Sequence, residues 1–304
     1  MCIRDRASVV RLIGAPPSAP ASATASASRP KTPVRSYASY RGKFLTQSRI
    51  AEGLRYWAVH DDELRRASAE FGVPAEVILG IIGVETAFGQ NTGSFRVLDA
   101  LTTIAFDGLR RQDYFRDELK QFLLLSHEQG LDPLAIRGSY AGAMGLPQFM
   151  PSSYRRLALD FDQDGRIDLI GSPADAIGSV ARYLKEAGWV PNEPATVAVR
   201  LPHGREAEFV SGLDRSHDVF NLRKAGIKFN DDGLPEGACA IVALPARGKP
   251  AKYVAAFANF EAVTRYNRST FYAMAVLELA DAIRASREQP MTATNDAPIQ
   301  GMNR

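Results

Sequence analysis

The stretch Pro74-Ala-Glu-Val-Ile-Leu-Gly-Ile-Ile-Gly-Val-Glu-Thr-Ala-Phe-Gly89 decides the fold of this chain, because its apolar pattern predicts a buried helix. Ile78, Ile81 and Ile82 lie three and four residues apart, which places them on one helical face. Glu85 continues the same stripe, four residues after Ile81. The pattern therefore predicts a helix that carries a carboxyl group where an apolar side chain is expected.

A carboxyl group on an apolar face has two interpretations. Burial without a partner disfavours the charged form, so the pKa rises and the acid stays protonated near neutral pH. Such an acid can serve as a general acid. In the alternative, which is the commoner case for a single glutamate, Glu85 lies at the edge of the stripe and reaches water or an arginine. The motifs that flank Glu85 favour the first interpretation.

The composition indicates a folded protein with a basic N-terminal tail. The 304 residues are 45% hydrophobic, which is enough for a sizeable core of one or two domains. Residues 1–44 contain eight Lys or Arg and one acid, so they carry +7, and the remainder carries 3 − 7 = −4. A mildly acidic folded part argues against a nucleic-acid partner. The sequence contains no apolar run long enough for a transmembrane segment, and no export signal is readable in the N-terminus.

Changes in composition and periodicity divide the sequence into five parts. They are a disordered tail at 1–44, rich in Ala, Ser and Pro, a helical region at 45–190, a small β unit at 191–262, a returning helix of the helical region at 263–288, and a second disordered tail at 289–304. Apolar periodicity predicts two helices between Ser48 and Phe71, one over 114–129 and one after Ser172. Strands are predicted at 196–201, 227–229, 240–244 and 253–260. This order predicts an α+β fold that is mainly α.

Seven motifs occur in one order along the chain, at residues 83–89, 98–103, 110–115, 138–154, 176–180, 259–260 and 265–275. The most distinctive are Gly83-Val-Glu-Thr-Ala-Phe-Gly89, Gly138-Ser-Tyr-Ala-Gly-Ala-Met-Gly-Leu-Pro-Gln-Phe-Met-Pro-Ser-Ser-Tyr154 and Arg265-Tyr-Asn-Arg-Ser-Thr-Phe-Tyr-Ala-Met-Ala275. Together they closely resemble the lytic murein transglycosylase B family over roughly residues 45–285. The resemblance implies a lysozyme-like catalytic core with N-terminal helices, an EF-hand-like loop and a small antiparallel β insert.

The resemblance also implies an activity. Such an enzyme cleaves the β-1,4 bond between N-acetylmuramic acid and N-acetylglucosamine in peptidoglycan. Glu85 would be the sole acid/base, and the muramyl 6-hydroxyl would attack in place of water, which gives a 1,6-anhydromuramyl product. The implied partner is the glycan strand and the implied location is the periplasm. The chemistry requires no cofactor, and we expect a monomer.

Further residues are assigned to a glycan-binding cleft by the resemblance. Amide and hydroxyl groups pair with sugar hydroxyls, and aromatic faces stack on sugar rings. For each residue there is a plainer alternative: a structural turn for the glycine-rich loop, a solvated turn for the arginines, and half-buried packing for the tyrosines. The assigned residues are Arg110, Arg111, Ser139, Gln148, Phe149, Tyr183, Tyr266, Asn267 and Tyr272.

The acidic loop at 160–171 has the spacing of an EF-hand calcium loop. Its aspartates occupy positions 1, 3, 5 and 9, Gly165 occupies position 6, and position 7 would offer a backbone carbonyl. Position 12 is Gly171, where a bidentate Glu is expected, and Ser172 or Asp175 could substitute. A weak structural Ca²⁺ site and a metal-free acidic turn therefore both remain open. The candidate ligands are Asp160, Asp162, Asp164, Arg166 and Asp168.

Two other functions compete with the transglycosylase. A hydrolytic muramidase would need a second carboxylate, for which Asp99 and Asp107 are candidates without a distinguishing spacing. A non-catalytic peptidoglycan-binding protein would have no need to bury an acid, so the position of Glu85 argues against it.

Overall fold

The computed structural model of the chain describes residues 36–108, 111–231, 234 and 237–288. The predicted C-terminal tail at 289–304 therefore lies outside the described residues, as do residues 1–35 of the N-terminal tail. The prediction that this tail extends to residue 44 is wrong, because Tyr37–Arg41 is a helix. Its Tyr37 is buried, and the ring lies edge-on to Phe271 with centroids 5.3 Å apart. This aromatic contact fixes the segment to a helix near the other end of the chain.

Helices make up most of the described part. In chain order they are α1 Tyr37–Arg41, α2 Gln47–Val59, α3 Asp61–Phe71, α4 Ala75–Thr86, α5 Val97–Asp107, α6 Gln112–Glu128, α7 Pro151–Leu157, α8 Pro173–Glu186, α9 Glu206–Phe209, α10 Val219–Lys224, α11 Ala258–Tyr266 and α12 Thr270–Glu288. The helices predicted from apolar periodicity before the β unit all form, with ends shifted by a few residues. Gly72 closes α3 in the left-handed conformation (φ 70°), as expected for a helix C-cap.

The β structure consists of a short pair and a larger antiparallel sheet. The strands are β1 Phe95–Arg96, β2 Arg137–Gly138, β3 Thr196–Arg200, β4 His217–Asp218, β5 Lys228–Phe229, β6 Ala238–Ala246 and β7 Lys249–Ala256. In the described residues, β1 pairs with β2, and the other five form a sheet in the order β4-β6-β7-β3-β5. Val242 of β6 lies opposite Val254 of β7 in the central hairpin. The predicted class, α+β and mainly α, is confirmed.

The helix α4 is the centre of the main core. Ile78, Leu79, Ile81 and Ile82 are each 0% exposed, so the helix is buried on several sides and not on a single stripe. It packs along α12, and a Cβ atom on Gly80 would lie only 2.6 Å from the backbone oxygen of Val276 on that helix. The glycine thus permits a close approach of the two helices, which brings the C-terminal part of the chain against the stretch that carries Glu85.

The end of the β unit differs from the prediction. The strand predicted over 253–260 stops at Ala256, and α11 begins at Ala258. The single returning helix is in fact two helices, α11 and α12, which the extended backbone of Asn267 separates. The strand gives way to α11 because of Asn259, which is fully buried. Its side chain exchanges hydrogen bonds of 2.7–2.8 Å with the backbone of Val190. This tertiary anchor outweighs the local preference of the aromatic and β-branched run for a strand.

None of the described helices is long and apolar enough to cross a bilayer by itself. The pair α3 and α4 is together long and apolar enough, but the two helices are bent by 114°.

Candidate active site

Glu85 lies in the last turn of α4, partly buried at the surface of the main core. The hydroxyl of Tyr272, a buried residue on α12, donates a hydrogen bond of 2.6 Å to Glu85 Oε1. Burial raises the pKa of Glu85 to about 7, and the Tyr272 hydrogen bond opposes that rise because it stabilises the charged form. Near neutral pH, the two protonation states of Glu85 are therefore comparably populated.

The chain after Glu85 is held in an unusual conformation. Ala87 and Phe88 both adopt positive φ values, 55° and 59°, which non-glycine residues rarely do. The buried Thr86 hydroxyl donates to the Leu146 carbonyl at 2.9 Å and also accepts from the N–H of Gly89 at 3.1 Å. These bonds fix the end of α4 to the glycine-rich loop at 138–154. The acid is consequently held by the backbone on one side and by α12 on the other.

Three aromatic rings form a cluster next to the acid. The Tyr183 and Tyr266 ring centroids lie 4.6 Å apart, and Phe149 lies 5.6 Å and 5.8 Å from them. Burial raises the pKa of Tyr266 well above its ordinary value, and the charge of Glu85 raises it further. Phe149 is only 2% exposed, so its ring supports the two tyrosines and presents no open face to a sugar. The contact of Phe149 with a sugar ring stays a prediction, and in this structure the ring packs against Tyr183 and Tyr266.

The glycine-rich loop uses several of its own polar groups. Ser139 Oγ accepts hydrogen bonds from the N–H groups of Ala141 and Ala143, at 3.3 Å and 3.0 Å. Gln148, at φ 52°, donates through Nε2 to the carbonyls of Thr92 and Gly145 at 3.0 Å and 2.9 Å. Both residues therefore have the structural role that the alternative interpretation gave them. This does not remove them from the cleft, because Ser139 and Gln148 are only partly buried.

Two of the remaining predicted cleft residues, Arg111 and Asn267, lie on the exposed surface. Arg111 is exposed and its guanidinium carbon lies 4.1 Å from the centroid of the Tyr114 ring, a cation–π contact. Arg110 lies outside the described residues. Asn267 is exposed between α11 and α12. Arg111 and Asn267 are therefore open to contact with a long ligand, and within the described part of the chain no hydrogen bond or salt bridge joins either of them to Glu85.

Two tyrosines near the site were missed in the sequence. Burial raises the pKa of Tyr40, and the charge of Glu85 is the second cause, so the phenol lies within electrostatic range of the acid. Tyr40 was missed because it falls in the predicted tail. The Tyr114 pKa is raised to about 12, by burial and then by the charge of Glu118. Tyr114 lies within one of the seven motifs, which was the available signal.

The acidic loop brings three of its carboxylates together. One oxygen each from Asp160, Asp162 and Asp164 lies within 4.8 Å of the others. Asp160 also accepts from the N–H groups of Asp164 and Gly165, at 3.1 Å and 2.9 Å, which closes the turn. The backbone N–H of Arg166 donates to Asp164 Oδ1 at 2.8 Å. This convergent set of hard oxygen donors fits a calcium ion.

Asp168 and the proposed substitutes for position 12 have other partners. Asp168 Oδ1 accepts from the N–H groups of Ile170 and Gly171, both at 2.8 Å, and the residue is not part of the three-carboxylate group. Asp175 is 1% exposed and accepts from the N–H groups of Phe161 and Asp168, both at 2.7 Å. Asp175 therefore holds the two ends of the loop together and is not placed as a ligand.

Ser172 is the N-cap residue of α8, as the sequence predicted. Its Oγ caps the helix by accepting from the Asp175 N–H at 3.2 Å, and its hydroxyl donates to Asp162 Oδ2 at 2.8 Å. The hydroxyl thus stabilises a carboxylate of the acidic loop. Because it already serves as a helix cap and as a donor, it supplies little of what a bidentate glutamate would.

Among the described residues, Glu85 is the single acid of the site. The pKa of Glu85 is shifted by burial and by the Tyr272 hydrogen bond, and no carboxylate of the described residues contributes to the shift. Asp99, one of the candidates for a second carboxylate, forms a salt bridge of 3.2 Å with Arg96. An acid of raised pKa beside a buried phenol, on a mainly helical core, is what general acid catalysis by a lysozyme-like glycan-cleaving enzyme requires.

Comparison with known proteins identifies the family within that class of enzymes. The Transglycosylase SLT domain family matches residues 5–281, and the chain belongs to this family. Membrane-bound lytic murein transglycosylase B of Escherichia coli (strain K12) is 41% identical over 266 residues, which cover 88% of this chain and 72% of that protein. The fold is similar to the soluble lytic transglycosylase SltB1 from Pseudomonas aeruginosa (TM-score 0.79, 46% identity, 85% of this chain and 86% of the other). It is also similar to the E. coli lytic transglycosylase Slt35 in complex with calcium (TM-score 0.78, 41% identity, 83% and 80%).

Proposed function

We propose that this enzyme cleaves the β-1,4 bond between N-acetylmuramic acid and N-acetylglucosamine in peptidoglycan, with Glu85 as its only acid/base. The observation that carries the proposal is the raised pKa of Glu85, about 7, at a partly buried position with Tyr272 as its polar partner. A group with this pKa can donate a proton and accept one back at neutral pH. Family membership supports the choice of substrate.

The first step is protonation of the leaving oxygen. Glu85 gives its proton to the glycosidic oxygen, the bond to the muramyl C1 breaks, and positive charge develops at C1. The described site has no second carboxylate near Glu85 to meet that charge. The N-acetyl oxygen of the substrate itself fills this role, as in substrate-assisted glycosidases.

The second step closes the anhydro ring. Glu85, now a carboxylate, accepts the proton of the muramyl 6-hydroxyl, and that oxygen forms the new bond to C1 and displaces the N-acetyl oxygen. The proton balance is zero and no water is consumed. An intramolecular hydroxyl has an effective concentration far above that of a loosely held water molecule. The product is therefore a 1,6-anhydromuramyl end.

Tyr272 positions the acid in this scheme. Burial and then the charge of Glu85 raise the pKa of Tyr272 well above its ordinary value, so the phenol stays protonated and keeps donating to Oε1. The bond fixes the orientation of the carboxyl group and stabilises its charged form between the two steps. The other carboxylate oxygen, Oε2, is then the one that exchanges protons with the substrate.

The glycan would lie along the tyrosine-lined edge beside Glu85. Tyr183 and Tyr266 are half-buried there and can contact sugar rings with their remaining open surface. We keep Arg110, Arg111, Ser139, Gln148 and Asn267 as cleft residues, and we place the enzyme in the periplasm, where its substrate is found. The monomeric state and the division of the chain at residues 190 and 262 stay predictions.

Calcium is a structural part of the proposal. Asp160, Asp162 and Asp164 would hold the ion, because their carboxylates converge and the left-handed Gly165 (φ 89°) closes the turn around them. The similar Slt35 was solved in complex with calcium. Bound calcium would offset two of the three neighbouring negative charges and stabilise the segment that leads into α8. It would take no part in either proton transfer.

Product analysis tests the proposed function. The purified chain is incubated with peptidoglycan sacculi, and the released fragments are reduced with borohydride and examined by mass spectrometry. An anhydro end is lighter than a hydrolysed end by one water, about 18 Da, and resists reduction. We expect anhydro ends to predominate. Reducible ends would identify a muramidase, and binding without release would identify a non-catalytic protein.

A further inference from the structure

A cationic groove of about 410 Å³ lies behind the tyrosine cluster, between α7, α8 and α11. Its walls carry Arg156, Arg182 and Arg265, and Glu186 is the only acid among them. The groove is therefore positive, although the chain after residue 44 carries a net charge of −4. A local excess of one charge sign in a concave surface concentrates ligands of the opposite sign.

Two of the three guanidinium groups have no anionic partner among the described residues. Arg265 is paired with Glu261 at 3.0 Å, but neither Arg156 nor Arg182 forms a salt bridge with any described residue. The neighbouring Arg155, in contrast, pairs with Glu128. Like charges that face one groove repel each other, so leaving them unpaired has a cost that a bound anion removes.

The groove is adjacent to the proposed cleft through Tyr183. The Tyr183 hydroxyl donates to the backbone carbonyl of Arg265 at 2.7 Å, and its ring packs 4.6 Å from that of Tyr266. Burial raises the pKa of Tyr183, and the charges of Arg156 and Arg265 oppose that rise, as expected for guanidinium groups close to the phenol. Tyr266 in turn lies within range of the Glu85 charge. The Tyr183 and Tyr266 rings thus connect the groove to the surroundings of the acid.

We propose that this groove binds a carboxylate of the peptide attached to the muramyl residues of the glycan strand. The inference rests on the proposed function and extends it to the part of the substrate that is not cleaved. In an intact strand the sugars are uncharged, so the carboxylates of the attached peptide are the anions available. A guanidinium fork pairs with a carboxylate through two parallel hydrogen bonds, which suits Arg156 and Arg182 to this ligand.

The test compares two substrates that differ only in peptide charge. One is a soluble peptide-bearing glycan strand, and the other is the same strand with its peptide carboxylates converted to primary amides. The full chain and its variants Arg156→Gln, Arg182→Gln and the double substitution are assayed for release of anhydro ends. Arg65→Gln is the matched control, because Arg65 is an exposed arginine on α3 that does not line the groove.

We expect each single substitution to lower kcat/KM on the acidic strand by about 3-fold to 10-fold, the range of a partly exposed charge-assisted contact. The amidated strand should be cleaved equally by the wild-type chain and all three groove variants, and Arg65→Gln should behave as wild type on both strands. Equal losses on both strands, or no loss on either, would overturn the inference. Raised salt should reduce the wild-type preference for the acidic strand.

A binding measurement separates this inference from the proposed function. Calorimetry of the wild-type chain and the double variant with acidic and amidated muropeptides reports the groove even if no anhydro end is formed. Tighter binding of the acidic muropeptide by the wild-type chain, lost in the double variant, supports the groove whatever the products are. Equal affinity for both muropeptides overturns it, even where anhydro products confirm the proposed reaction.

Discussion

Glu85 and the acidic loop show how differently one functional group behaves in two environments. Glu85 is partly buried among apolar residues, and burial raises its pKa to about 7. Asp162 and Asp164 are exposed, and with Asp160 they crowd their carboxylates within 4.8 Å of one another. Desolvation dominates at the first position, whereas backbone N–H groups and water share the charge at the second.

The difference explains the division of labour between the two regions. A proton-transfer group must be able to lose its charge near neutral pH, which requires an apolar surrounding. A metal ligand must keep its charge, which requires solvent and hydrogen-bond donors. The four experiments below test this contrast, from the largest expected effect to the smallest.

The largest effect is expected from Glu85→Gln. Glutamine is nearly isosteric and can still accept from the Tyr272 hydroxyl, but it cannot deliver a proton. We therefore expect the fold to persist and the release of anhydro ends to fall by at least about 10²-fold, the usual loss for a general acid. Asp99→Asn is the matched control, because it removes a candidate for the second carboxylate that a hydrolytic muramidase would need. A Glu85→Gln chain with nearly wild-type activity would contradict the assignment.

The raised pKa of Glu85 predicts a pH-dependent stability. The carboxyl group has a pKa of about 7 when folded and 4.5 in its ordinary state, so the folded chain holds the proton over the pH range where the unfolded chain has lost it. Stability should fall as the pH rises from 4.5 to 7, by about 3 kcal/mol at most, and then remain level. Glu85→Gln should remove this slope, so that the variant becomes more stable than wild type above pH 7.

Chemical denaturation at several pH values measures this slope. The stability difference between Glu85→Gln and the wild-type chain isolates the contribution of one group from the titration of the others. A difference that does not change with pH would show that Glu85 has an ordinary pKa. The acid/base role would then lose its physical basis.

A smaller effect is expected from Tyr272→Phe. The substitution keeps the ring in its buried position and removes the hydrogen bond that stabilises the Glu85 carboxylate. The pKa of Glu85 should rise further, so the loss of kcat/KM at high pH should begin at a higher pH than in wild type. We expect activity at pH 7 to fall about 10-fold, because the second step needs the charged form and a fixed orientation. An unshifted pH profile would limit Tyr272 to a packing role.

The sequence predicted some parts of this site and not others, for physical reasons. Helical periodicity identified α4 and the misplaced polarity of Glu85, because both are local properties of one segment. The bond from Tyr272 to Glu85 joins residues 187 positions apart, and no local pattern encodes such a contact. Only the resemblance to a family brought Tyr272 into the candidate list. Asn259 gives the same lesson for the fold, since its tertiary hydrogen bonds start a helix where local propensity favours a strand.

The acidic loop shows the limit of a spacing pattern. The aspartate spacing correctly grouped Asp160, Asp162 and Asp164, because a glycine at position 6 turns the chain on itself. It placed Asp168 with them, but that carboxylate caps the following turn. The backbone N–H of Asp168 is bound by Asp175, which lies outside the twelve-residue loop, so the spacing pattern does not contain this contact.

Calcium should give the smallest of the four effects. Three convergent carboxylates without a bidentate ligand at position 12 predict a dissociation constant on the order of 10⁻⁴ M or above. At about 1 mM calcium, mass action then adds at most about 1.4 kcal/mol of stability, or a few degrees in Tm for a chain of this size.

Melting curves in calcium and in chelator, with magnesium to control for ionic strength, measure the shift. Asp160→Asn should abolish the response while it keeps an oxygen for one of the two backbone N–H groups that Asp160 binds. Asp132→Asn should leave it intact, because Asp132 accepts from the Leu134 N–H in a turn outside the acidic loop. An identical midpoint in calcium and chelator would make the loop a metal-free turn, and the contrast with Glu85 would then rest on solvent exposure alone.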